Sequence, residues 1–211
     1  CMLSSTGTLS YFTDTDVKTN SFTIGNASTT LKVYNNSTLI DDSHLFNDGD
    51  YGLENNQNID FYPRAINDGN IQVYQRFRVV IPIALASVIT LNLPPMEGGC
   101  TIITTSENTC NNADYTITYK PSVEVNNSPK YAEYYITSND TVGVGQSTRD
   151  WPVLGIHFGD LSSVGGSSAI TCENDNNNNC KLGINIYSDV IQTTGFANAV
   201  DAFAGLAETY N

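Results

Sequence analysis

The sequence predicts an all-β fold, a jelly roll or β-sandwich with a short C-terminal helix and an extended N-terminal strand. Three observations predict it. Charged residues make up only 15% of the chain, against about 25% in an ordinary soluble domain, and asparagine and threonine fill the gap. Thr is β-branched and Asn competes with helical hydrogen bonding, so this composition suits strands and turns. Twelve Tyr and eight Phe point the same way. Short apolar runs also recur with turn signals between them, the pattern of a sandwich or jelly roll. With 211 residues, 40% of them hydrophobic, the chain can bury a real core. No linker or internal repeat divides it. The expected organisation is an N-terminal strand over residues 1–12 and a single β-sandwich domain over residues 13–211.

In chain order, residues 1–10 (CMLSSTGTLS) hold no charge. Read with period two, Leu3, Ser5, Gly7, Leu9 and Tyr11 fall on one face and Met2, Ser4, Thr6, Thr8 and Ser10 on the other. That is a strand with one slim, apolar side. Asp14 and Asp16, just beyond it, read as a turn feature. Strands follow at Ser21–Ile24 and near Thr29–Tyr34, and residues 35–58 read as loop with a short strand inside. Asn58–Tyr62 and Gln72–Ile81 are strong strand candidates, and Asp68-Gly69 between them signals a tight turn joining a strand pair. Alternation puts Tyr74, Arg76 and Arg78 on one face and Val73, Gln75, Phe77 and Val79 on the other, with Phe77 and Val79 inward. The apolar run Val79–Ile89 carries Pro82 and is too short to span a bilayer, so it reads as a buried strand followed by a bend. Further strands are expected at Ser87–Leu93, Thr101–Thr105, Tyr115–Tyr119, Tyr131–Thr137, Val153–Phe158 and Leu182–Ser188. Phe196, Val200, Phe203 and Leu206 or Ala207 recur at helical spacing and predict a short amphipathic helix.

Charge narrows the function classes. The net charge is −13, with nine basic residues spread thinly. Binding nucleic acid requires clustered Lys and Arg, and no such cluster exists. Anionic membrane surfaces are disfavoured for the same reason.

Five cysteines are present. Cys100 and Cys110 bracket a polar turn at Glu107-Asn108-Thr109, and Cys172 and Cys180 bracket an Asn-rich loop. Neither pair has the spacing of a zinc knuckle. Each would close a short loop as a disulfide, worth about 2–3 kcal/mol, which implies an oxidising, extracellular setting. Cys1 is left over. Asn-x-Ser/Thr triplets at Asn26, Asn35, Asn36, Asn126 and Asn139 are compatible with a glycosylated surface protein.

Four segments carry a resemblance. They are Gly7–Asp16 (GTLSYFTDTD) with Asn20–Gly25 (NSFTIG), Ala65–Val79 (AINDGNIQVYQRFRV), Tyr134–Thr148 (YYITSNDTVGVGQST), and Ile184–Phe196 (INIYSDVIQTTGF) followed by Ala202-Phe203. Together, and in this order, the chain resembles the camelysin/TasA-type family of secreted bacterial fibre proteins of the biofilm matrix, to which archaeal bundling pili look related. The resemblance implies a jelly-roll domain exported to the cell surface and assembled into a head-to-tail homopolymer by donor-strand complementation. In that scheme Leu3, Ser5, Gly7, Leu9 and Tyr11 form the donor strand, which completes the sheet of the next subunit. One departure is that the family's mature chain is expected to begin close to Ser10, whereas nine residues precede it here. An N-terminal Cys is also what lipoprotein processing leaves, so a lipid anchor on Cys1 stands beside a free thiol and an intersubunit disulfide.

Catalysis finds little support in the residues. Camelysin is classed as a metalloprotease, but a zinc protease wants His-Glu-x-x-His. The two histidines are His44, in an Asp-rich loop, and His157, in an expected strand. No nucleophile elbow or phosphate loop is present. The chain is read as a non-enzyme without cofactor. Asp41-Asp42 and Asn47-Asp48-Gly49-Asp50 offer oxygen donors of the kind calcium favours, without the full EF-hand pattern. The alternative functions are a monomeric cell-surface binding module and, behind it, a camelysin-like metallopeptidase.

Overall fold

A computed structural model of the chain describes residues 13–17, 29–35, 38–40, 58–83, 85–125, 127–148, 154–159 and 185–206. These are mostly β-strand with one short helix: β1 (Thr13–Val17), β2 (Thr29–Asn35), β3 (Thr38–Ile40), β4 (Asn58–Asn67), β5 (Val73–Pro82), β6 (Ile89–Asn92), β7 (Asn108–Asn111), β8 (Tyr115–Val125), β9 (Ser128–Ser138), β10 (Leu154–Phe158), β11 (Asn185–Gln192) and α1 (Ala199–Phe203). They form a six-stranded sheet, β1-β11-β5-β9-β8-β7, and a five-stranded sheet, β3-β2-β4-β10-β6. Neighbouring strands are antiparallel.

The main core draws on both sheets. Phe77, Val79 and Ile81 of β5 meet Ile117 and Tyr119 of β8, Tyr134 and Ile136 of β9 and Ile186 of β11. Ala65 of β4 and Ile89 and Leu91 of β6 join them from the other sheet. Alternation explains the set: along β6 the pattern is buried, exposed, buried, exposed, and each inward residue is two positions from the next. The turn after Pro82 adds Leu85 and Val88 to the same core, where Leu85 accepts the amides of Val88 and Ile89, both at 3.0 Å.

Six expectations are corrected. β4 and β5 are not a hairpin: they lie in different sheets, and Asp68–Gln72 carries the chain across. Asn67 makes that crossing. Its Nδ2 donates to Ile71 O at 2.8 Å and Val142 O at 3.0 Å, and its Oδ1 accepts the Gly69 amide at 3.0 Å. Its own amide donates to Gln146 O at 2.9 Å, so the chain leaves the β4 ladder for residues 142–148. Thr101–Thr105 is not a strand; Asn108–Asn111 is, because the strand that pairs with β8 is the one that carries Cys110. The turn between the two cysteines accordingly lies at Thr104–Ser106 and not at Glu107–Thr109. Asp14 and Asp16 lie in strand β1, opposite Val190 and Ser188, not in a turn. The last strand ends later than Ser188, running to Gln192. Finally, α1 buries Ala199, Ala202 and Phe203, whose i, i+3, i+4 spacing makes one face. Val200 points away and is 50% exposed.

Candidate functional site

The face of the six-stranded sheet opposite the main core holds a buried charged cluster. Arg76 and Arg78 alternate with Phe77 along β5, so both leave the core side. Asp189 on β11 is the ladder partner of Arg76. Its Oδ2 accepts from Arg76 Nη2 at 2.7 Å and from Arg78 Nε at 2.7 Å. Aromatic rings complete the shell. The Arg76 guanidinium lies 4.9 Å from the Tyr135 ring centroid and 4.7 Å from that of Phe203 on α1, and Arg78 lies 4.6 Å from Tyr187. Glu133, fully buried on β9, accepts the Tyr135 hydroxyl. Charge desolvated this far is tolerated only when paired and hydrogen-bonded. The chemistry of this cluster is structural: it fixes β11 and α1 on β5.

A shallow cleft of about 460 Å³ opens beside the start of β8 and the end of β9. Asp114, Ser138, Asp140, Gln146 and Thr148 line it. Thr148 closes its inner end, its amide donating to Ala65 O at 2.8 Å and its Oγ1 accepting the Ala65 amide at 3.1 Å. Gly145, at φ 71°, makes the adjoining turn possible, because a left-handed backbone favours glycine.

The margins of the sheets are the third feature. Among the described residues, β1 is an outermost strand of the six-stranded sheet and β7 the other. Beside β7 runs the connection from β6, and its Cys100 is disulfide-bonded to Cys110 of β7 with a Cα separation of 5.7 Å. Leu93, Met96 and Ile102 of this connection pack against the main core.

Other sequence-predicted residues fall as follows. Asn139 is exposed, its Nδ2 donating to Asn112 O at 3.0 Å and its Oδ1 accepting the Thr116 hydroxyl at 2.9 Å. Asn35 ends β2, opposite Thr38. His157 is half-buried in β10, with Asn58 and Thr90 as ladder partners. The donor-strand residues Leu3, Ser5, Gly7, Leu9 and Tyr11 lie outside the described residues, as do Cys1, Cys172, Cys180, Asn26, Asn36, Asn126, His44 and the acidic loop at 41–50. Among the described residues, no group of three or more His, Cys, Asp or Glu side chains is placed to hold a metal ion. No helix there is long and apolar enough to cross a membrane.

Sequence reasoning missed the charged cluster and Asn67. Alternation separated Arg76 and Arg78 from Phe77 but carried no sign that their face is buried too. The one available signal was Asp189, the single charge in an otherwise uncharged, largely apolar run (INIYSDVI), which asks for a basic partner. No family model, curated protein or solved structure matches the chain.

Proposed function

We propose that the chain is a structural subunit of an extracellular filament, a biofilm-matrix fibre or pilus, that polymerises with copies of itself by donor-strand complementation. The observation that carries this reading is a junction. Residues 1–10, uncharged and alternating between slim apolar and small polar groups, precede β1 in the chain, an outermost strand of the six-stranded sheet among the described residues. A segment next in sequence to a sheet margin, with the pattern of a strand, is well placed to serve a neighbour. An incomplete sheet presents unbonded N–H and C=O groups and an open core, and an added strand satisfies both. The fold is read as a β-sandwich of jelly-roll type. In support, the chain changes sheet between β4, β5, β6 and β7 and again between β9, β10 and β11, and both sheets feed one core. The Cys100–Cys110 bond supports export to an oxidising compartment. The resemblance of the four segments to the camelysin/TasA-type family belongs to the same reading.

Deleting residues 1–10 tests it. The expected product is a folded monomer that forms no filaments by electron microscopy and stops the growth of wild-type filaments when added to them, since it accepts a strand but donates none. Normal filaments from the deletion variant would defeat the donor-strand mechanism.

One observation favours a second reading, a monomeric surface module. The cleft lined by Asp114, Ser138, Asp140 and Thr148 offers the carboxylates and hydroxyls that bind carbohydrate hydroxyl groups. In that case the purified chain stays monomeric at all concentrations, and Asp140→Ala abolishes retention on a glycan array.

A further inference from the structure

We infer that residues 93–107 are a latched cover over a strand-pairing edge, and that the partner this edge fits is the same edge of a second copy of the chain. The inference does not rest on the donor-strand reading. It concerns the opposite margin of the six-stranded sheet, at β7.

The direction of the β7 backbone groups follows from one bond. The Asn112 amide donates to Tyr115 O at 2.9 Å, back towards β8. Groups alternate along a strand, so those of Cys110 and Asn108 also face β8, and those of Thr109 and Asn111 face away. The Thr109 and Thr118 hydroxyls, 2.8 Å apart across the ladder, fit the close side-chain spacing of a pair that exchanges no backbone bonds. Thr109 O lies 3.7 Å from Cys100 Sγ, on the side of the cover.

The cover runs antiparallel to β7 but makes no ladder with it among the described residues. Side chains hold it instead. Asn112 Nδ2 donates to Pro95 O at 3.2 Å at one end. At the other, Asn108 Oδ1 accepts the Ile103 amide at 3.1 Å, while its Nδ2 donates to Ile103 O at 2.6 Å and Ser106 O at 2.7 Å. The disulfide joins the two midway. Pro94 and Pro95 have no amide to offer a ladder. The outward groups of Thr109 and Asn111 therefore stay solvent-accessible beside the cover and bonded to no strand, while the cover occupies the side from which another strand would approach, which is how an edge is kept from pairing.

A second copy matches the covered edge. β7 reads Asn-Thr-Cys-Asn and carries no charge, so two copies meet there without like charges opposed, despite −13 on each chain. In an antiparallel pair centred on Cys110, Thr109 of one copy exchanges both backbone bonds with Asn111 of the other, and the reverse, a self-complementary two-fold contact.

The test uses the full chain with Cys100→Ser and Cys110→Ser, which leaves Cys1, Cys172 and Cys180 untouched. Amide exchange at Thr109 and Asn111 and sedimentation are followed over a concentration series. In wild type both amides exchange fast at every concentration. In the double variant both slow by at least about tenfold as concentration rises, with a parallel gain in sedimentation coefficient. Adding Asn111→Pro removes an outward donor without touching the β8 ladder and restores fast exchange at Thr109. Exchange that stays concentration-independent in the double variant overturns the proposal, as does association that survives Asn111→Pro. Loss of the near-UV circular dichroism in the double variant also overturns it, because the bond would then support the sheet and not latch a cover. Filaments built through residues 1–10 are indifferent to Asn111→Pro, so the two readings fail separately.

Discussion

Asp189 stands directly across the β5–β11 ladder from Arg76, and the two close an ion pair of 2.7 Å with side chains 0% and 5% exposed. Arg78 shares the same carboxylate, its Nε donating to Oδ2 at 2.7 Å and its Nη2 to Oδ1 at 3.3 Å. One carboxylate thus serves two guanidinium groups away from water. Asp189→Asn keeps the shape and removes the charge, which leaves both cations buried without their shared anion. Breaking a buried pair in this way costs about 3–5 kcal/mol. Urea denaturation is expected to show a loss of that size, and a midpoint equal to wild type would mean the cluster is solvated.

Phe77, on the opposite side of the same strand, is completely buried among Val79, Ile117 and Ile136. Truncation leaves a cavity that neighbours on three strands cannot fill, so Phe77→Ala is expected to cost about 3–5 kcal/mol. Val144, 56% exposed in a turn, is the control: Val144→Ala is expected to stay within about 0.5 kcal/mol. Equal thermal shifts for the two would show that the register of β5 is wrong.

The contrast between these faces shows what the sequence could express. Period-two alternation located β5, β6, β8 and β9 and placed Phe77 and Val79 inward, because a side chain's face depends on parity alone. It could not say that Arg76 and Arg78 are also buried, since that depends on Asp189, more than a hundred residues away. Asp68-Gly69 looked like a hairpin for the same reason. The turn chemistry is local and real, as the Asn67 Oδ1 bond to Gly69 shows. Which sheet the next strand joins, however, is set by its partners β9 and β11. The Cys100–Cys110 pairing was legible from spacing, but its role at a sheet margin was not, because Thr101–Thr105 reads as a better strand than Asn108–Asn111. The N-terminal segment expected to carry function lies outside the described residues, so its role rests on sequence.

Tyr119 and Tyr134 face each other across β8 and β9, with ring centroids 4.6 Å apart. Burial pushes the Tyr134 hydroxyl above its ordinary range, and the neighbouring Tyr119 adds to it; burial raises Tyr119 as well. Each phenol is therefore held neutral more firmly in the folded chain than in the unfolded one. The stability this contributes is fully present below the unfolded value of about 10 and falls as pH rises beyond it. Melting temperature is expected to be flat from pH 8 to about 9.5 and to drop steeply above about 10. Tyr134→Phe, which has no proton to lose, should flatten that drop. An identical alkaline slope in the variant would assign the loss to other groups.

The donor strand makes a finer prediction than its deletion. If residues 1–10 lie in a neighbouring copy with Leu3, Gly7 and Leu9 towards its core, the two faces of the segment must respond differently to added volume. Gly7→Trp forces a large ring into the slim side, and overpacking of that kind costs about 1–3 kcal/mol or more. Burial of Leu3 and Leu9 contributes about 1.5–3 kcal/mol each, so one such clash offsets a large part of what holds the strand in place. Ser4→Thr adds one methyl to the other face and should be tolerated. Both variants are expected to fold as wild type by circular dichroism, because the segment leaves its own domain. Elongation followed by light scattering is expected to be abolished or strongly slowed for Gly7→Trp and unchanged for Ser4→Thr. Equal elongation by the two would show that no groove reads the parity of this strand, and residues 1–10 would then act, if at all, as a tether.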